Sequence, residues 1–209
     1  MSRYTGPSCR LCRRENTKLF LKGERCYSRD KCPVDKHPGA PGQHGTGRKK
    51  VAEYGMQLRE KQKAKRFYGV QETQFKNTFR KATKMEGLPG QNLLILLERR
   101  LDNTVYKMGM AESRKEARQL VTHGHFRING KRAAIPSILV KEGDVVSLKG
   151  SSRSLPKIKS LIETLEHRRP GDWLEMDTEN ISAKITRLPK REDVDFPFEE
   201  HLIVELYSK

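Results

Sequence analysis

Long apolar runs are missing from this 209-residue chain, and aromatic residues are scarce, with Phe, Trp and Tyr together at 7% and a single Trp. A membrane-spanning helix needs about 18 or more consecutive apolar residues, so none is expected. No basic amphipathic helix carries Trp or Phe anchors, which argues against a role on a membrane surface. The opening "MSRYTGPSCR" has no apolar segment behind its charges, so no secretory leader is expected. There is no internal repeat. Cysteine is rare too, with only four, all between Cys9 and Cys32. Without a secretory leader these are not expected to pair as disulfides, and a reducing cytoplasm is the default compartment.

Acidic residues are also in deficit: 26 Asp+Glu stand against 43 Lys+Arg, for a net charge of +17. The excess is uneven. Residues 1–100 hold 24 Lys+Arg against 9 Asp+Glu, whereas residues 101–209 hold 19 against 17. A cationic surface of this size calls for a polyanion, because release of condensed counterions from phosphates drives such binding. Nucleic acid is the first candidate, an anionic membrane the second. The length suits one large domain or two small ones, with enough apolar residues to bury a core.

The cysteines form a C-x2-C pair, 13 intervening residues, then a C-x5-C pair. Two pairs on one loop-rich segment suggest a closed four-thiolate site made by Cys9, Cys12, Cys26 and Cys32. Zinc is the expected metal, with an iron–sulfur cluster as the alternative. Four thiolates leave no open coordination position, so the expected role is scaffolding rather than catalysis. Basic neighbours are expected to lower the thiol pKa values. Residues 1–50 are punctuated by Gly and Pro and poor in apolar residues, which predicts loops and extended chain. A redox reading of the C-x2-C lacks any βαβ context.

Residues 51–68 predict a helix ended by Gly69, with Arg59, Lys63 and Arg66 forming a positive stripe. Phe75, Phe79 and Ala82 share a second helical face, and "NLLILLERRL" predicts a buried helix. Glu98 and Asp102 flank Arg99 and Arg100 and read as internal ion-pair partners. From Ser113 the pattern is helix, strand, turn, strand, turn, strand, with Ser113 and Glu116 in capping-box spacing and Asn129-Gly130 as a hairpin turn. This unit is expected to share an apolar inner face and to offer Arg114, Lys115, Arg118, Arg127, Lys131 and Arg132 outward. A further helix around Ile158 and strands around Trp173 and Ile185 follow. The acidic tail ends in "HLIVELY", for which periodicity leaves strand and helix both open. His44, His123 and His125 have no catalytic partners in the sequence and read as RNA-contacting or structural. "GRKKV" (47–51) is a further basic cluster.

The stretch "LLERRLDNTVYKMGMAESRKEARQLVTHGHFRINGKR" resembles the S4 RNA-binding fold, and "RYTGPSCRLCRRE", "APGQHG", "YGMQLREKQKAKRFYGV", "WLEMD" and "HLIVELYSK" resemble, in order, segments of the bacterial S4 family of small-subunit ribosomal proteins. The resemblance covers essentially the whole chain. It implies an elongated α+β protein: a metal-bound segment 1–45, a helical domain 46–98 joined by residues 190–209, and a helix–hairpin RNA-binding module with a small antiparallel sheet over 99–189. It also implies a primary binder of the 16S rRNA 5′ domain, not an enzyme, that nucleates assembly of the subunit body. Proteins S5 and S12 would be its neighbours, with effects on decoding accuracy. Arg48, Lys49 and Lys50 would line the channel through which mRNA enters. The rRNA-facing cations would be Arg3, Arg10, Arg13, Arg14, Lys22, Arg25, Arg59, Lys63, Arg66, Arg114, Lys115, Arg118, Arg127, Lys131 and Arg132, with His123. Many members lack the cysteines, so the metal site would belong to a subset. An RNA-modifying enzyme would need a further catalytic domain, and a zinc-dependent DNA regulator would need a reading helix that the cysteine segment lacks.

Overall fold

The computed structural model describes residues 3–37, 39–45, 47, 52–165 and 168–208. The chain forms two compact units, one of Met1–Leu93 with Phe196–Lys209 and one of Leu94–Asp195. The cysteine segment therefore belongs to the first unit rather than standing apart. The division falls inside a helix, just before residue 94.

In the first unit, α1 (Ser8–Glu15) corrects the expectation of loops across the first fifty residues. Its sequence "SCRLCRRE" lacks Gly and Pro, and Ser8, Cys12 and Glu15 fall on one helical face, where all three are buried. A 3₁₀ turn at Gly23–Cys26 and a one-turn α2 (Pro33–Lys36) follow. Helix α3 (Glu53–Phe67) buries Gln57, Glu60, Lys61, Ala64 and Phe67. Its end is set by Gly69 at φ +64, where Gly69 N–H bonds Arg66 O and Val70 N–H bonds Lys65 O. That pairing leaves the turn dependent on a left-handed residue, which glycine supplies without strain. Helix α4 (Glu72–Ala82) buries Phe75, Phe79 and Ala82. Helix α5 (Pro89–Glu98) opens with Asn92, whose side-chain amide donates to Ala82 O and Glu86 O and so ties down the connection from α4. The tail settles as α9 (Glu200–Ser208), a helix. Ile203 is fully buried, and the Tyr207 ring lies 4.7 Å from Phe79 and stacks with it. Phe196 and Phe198 place their rings 5.3 and 5.4 Å from that of Phe67.

In the second unit, α6 (Leu101–Lys107) and α7 (Arg114–Thr122) precede a five-stranded antiparallel sheet ordered β2-β1-β3-β5-β4. The strands are β1 (Phe126–Ile128), β2 (Lys131–Arg132), β3 (Val145–Leu148), β4 (Leu174–Asp177) and β5 (Ser182–Ile185), with α8 (Pro156–Glu163) between β3 and β4. Ser113 caps α7 by accepting from Glu116 N–H, while the Glu116 carboxylate reaches back to Glu112 N–H, one residue beyond the usual reciprocal partner. One core binds helices to sheet: Leu101, Val105, Ala117, Val121, Phe126, Val146, Ile158 and Trp173 are all buried in it. Beside it runs a polar network. Asp102 pairs with Arg100 at 2.7 Å, and Asn103 donates to the Glu98 carboxylate at 2.7 Å, so Glu98 and Asp102 are both internal partners. Among the described residues no helix is long and apolar enough to cross a membrane.

Candidate nucleic-acid interface

The hairpin presents its cations openly. Asn129 and Gly130 both adopt positive φ, +49 and +76, as a two-residue turn of this hand requires. Asn129 is held by its side chain, which donates to Asp144 and accepts from Val145 N–H. This fixes the register so that Arg127 stands directly opposite Arg132. Both are exposed, as are Lys131 and His123. Like charges facing each other across a strand pair are destabilising unless an anion lies between or above them. Arg132 is further constrained, since a Cβ on Gly124 would sit 2.9 Å from its Nε. Burial, with repulsion from His123 and Lys149, holds the His125 pKa below its ordinary value. His125 instead contacts the Ser152 hydroxyl at 3.0 Å.

The α7 cations differ from the outward reading. Arg114 is buried, donates from Nε to Asn103 at 2.8 Å, and lies 4.4 Å over the Tyr106 ring. Arg118 faces Asp102 at 3.6 Å with little exposure. The correction has a simple cause: α6 carries Asp102 and Asn103 against the same face of α7, and desolvated acceptors draw guanidinium groups inward. Lys115 is half-buried.

In the first unit, Arg3, Arg10, Arg14, Lys22 and Arg25 are exposed, while Arg13 is half-buried and donates to Gly39 O. The stripe on α3 is not bare charge. Arg59 and Arg66 both reach the Glu15 carboxylate, whose side chain is 0% exposed, and Lys63 pairs with Glu60 at 2.7 Å. Arg48, Lys49 and Lys50 lie outside the described residues.

Cys9, Cys12, Cys26 and Cys32 line one cavity with Lys18, Lys22 and Arg25, and all four are free thiols. Backbone N–H groups of Leu19 and Lys22 point at the Cys12 and Cys26 sulfurs. Among the described residues no group of three or more His, Cys, Asp or Glu is arranged to hold a metal ion. The expected lowering of the thiol pKa values does not occur at Cys12 or Cys26. Burial raises both, outweighing the backbone N–H groups of Leu19 and Lys22 that pull the other way, and the remaining thiols add to the rise.

Two features escaped the sequence reading. Glu15 gave a faint signal as the only acid before Glu24. Tyr27, 68% exposed, packs its ring 5.0 Å from Phe20 beside the thiol cavity, which its neighbours in sequence do not announce.

A family profile described as "Ribosomal protein S4/S9 N-terminal domain" matches residues 3–98, and one described as "S4 domain" matches residues 99–146. The chain is 61% identical to small ribosomal subunit protein uS4 of Clostridioides difficile over 209 residues, covering all of both chains. It is 59% identical to that of Ruminiclostridium cellulolyticum and 60% identical to that of Caldicellulosiruptor saccharolyticus, again over the full length of each. With basic residues displayed on a helical unit and on a sheet-backed hairpin, and full-length relatives of one kind, the chain belongs to the uS4 family of small ribosomal subunit proteins.

Proposed function

We propose that the protein is a structural, non-enzymatic constituent of the small ribosomal subunit in the cytoplasm, where it binds 16S rRNA through phosphate contacts. The observation that carries this reading is the pairing of Arg127 with Arg132 across β1 and β2, joined by exposed Lys131. A fold that places like charges opposite each other is repaid when phosphate enters between them. Folded RNA is recognised by shape and backbone, which suits cations dispersed over two units. The finer reading places the contact in the 16S 5′ domain, with nucleation of the subunit body, neighbours S5 and S12, and Arg48, Lys49 and Lys50 at the mRNA channel. Membership of the uS4 family is what supports it.

The experiment is a salt titration of binding to a 5′-domain rRNA transcript. Arg127→Gln with Arg132→Gln should lower the magnitude of the logarithmic salt slope by about 2, one per lost phosphate contact, and leave the melting temperature unchanged or slightly raised. An unchanged slope would remove the hairpin from the interface.

The same reading includes a structural metal, zinc or alternatively an iron–sulfur cluster, held by Cys9, Cys12, Cys26 and Cys32. Supporting it are the shared cavity, the N–H groups aimed at two sulfurs, and the mutual repulsion that a cation would relieve. A bound metal would supply cross-linking in place of a core, with the four sulfurs drawing together around it.

A further inference from the structure

Glu15 is costly where it stands. Its side chain is wholly buried, and its Oε2 has no hydrogen-bond partner. Burial raises its pKa even with Arg59, Arg66, Lys63 and Arg14 pulling the other way. A buried carboxylate of this kind is weak as a source of stability, since desolvation offsets most of the attraction. What it does achieve is geometric. Arg59 and Arg66, two turns apart on α3, both meet Glu15 Oε1 through Nη1, and so converge on the end of α1. Arg14, the neighbouring residue, is exposed. Lys63 completes the group from the intervening turn, tied to Glu60. Two guanidinium groups thus share one buried acid, and the lysine between them pairs with Glu60.

We infer that Glu15 is a positioning residue: it holds Arg59 and Arg66 as a prearranged cradle for RNA backbone phosphates. A guanidinium carries five N–H donors, so one carboxylate oxygen does not exhaust either arginine. The remaining forks suit phosphate, and side chains already immobilised lose less entropy on binding. The role rests on the RNA-binding reading above.

Charge and position predict opposite signs, which makes the test decisive. Glu15→Gln raises the net charge by one, so a loose basic surface would bind every RNA as well or better. A cradle would lose affinity for a 5′-domain rRNA transcript by about tenfold while binding to oligouridylate holds or strengthens. Glu15→Asp should recover part of the loss. Wild-type or tighter binding of the transcript by Glu15→Gln overturns the inference. If Glu15→Gln fails to melt cooperatively, Arg59→Gln decides: its salt slope should fall by about 1, and an unchanged slope is equally fatal. If the wild-type protein does not prefer the transcript to oligouridylate, it is the broader RNA-binding reading that fails.

Discussion

The segment Ser8–Lys36 and the module Leu101–Ile185 both display arginine and lysine, but they secure them by opposite means. The module builds its platform from apolar burial: Phe126, Trp173, Val146 and Ile185 are each 0% exposed, and the hairpin cations ride on the outer side of that core. The segment has Leu19, Leu21 and three buried cysteines for an apolar interior, together with the buried Glu15 carboxylate. A cation can therefore be fixed by a hydrophobic base beneath it or by a polar anchor beside it. The second route is the one available to a stretch of chain too polar to collapse.

The sharpest way to break this contrast acts on the thiols. Cys9→Ser should speed tryptic cleavage within residues 3–37 by tenfold or more, while residues 100–150 stay resistant. Mass spectrometry of the purified chain should find one zinc per molecule, or iron with sulfide if the alternative holds. Unaltered cleavage would mean that the segment stands without metal. The reverse experiment attacks the core. Phe126→Ala should cost the module about 3–5 kcal/mol in chemical denaturation and expose its amides to hydrogen exchange, with residues 3–37 unaffected.

A smaller effect concerns the tail. Lys61, Lys65 and the Tyr207 hydroxyl all bond the Glu72 carboxylate. Burial pushes the Glu72 pKa up, but the two lysine hydrogen bonds prevail and hold it at about 2, below its ordinary 4.5. A depressed pKa contributes stability above pH 4.5 that is lost as the pH falls toward 2. Glu72→Gln should flatten that acid limb in a pH series of α9 cleavage rates. Because the side chain is 45% exposed, its effect at pH 7 should stay under about 1 kcal/mol.

The same contrast explains what could be read from the sequence. The module declared itself because its strands alternate, its turns carry Asn129-Gly130 and Gly143, and its helix opens at Ser113 with a capping side chain. All of these are local signals. Helix α1 did not, because its buried face is Ser8, Cys12 and Glu15, residues that no hydrophobic periodicity would register. The inward turn of Arg114 was hidden for a related reason: its acceptor, Asn103, sits eleven residues away on another helix. The helical state of "HLIVELY" was decided by its neighbours, since Phe79 and Phe67 supply the aromatic surface that the tail covers.

The return of residues 196–209 to the first unit has a consequence for the order of events on the translating ribosome. Residues 94–195 are contiguous, so that unit holds its entire core once it has emerged. The first unit, although synthesised earlier, still lacks α9 and the aromatic pair Phe196 and Phe198. The helices of the first unit stay partly uncovered until those residues return, whereas the second unit closes its core with no segment from outside 94–195.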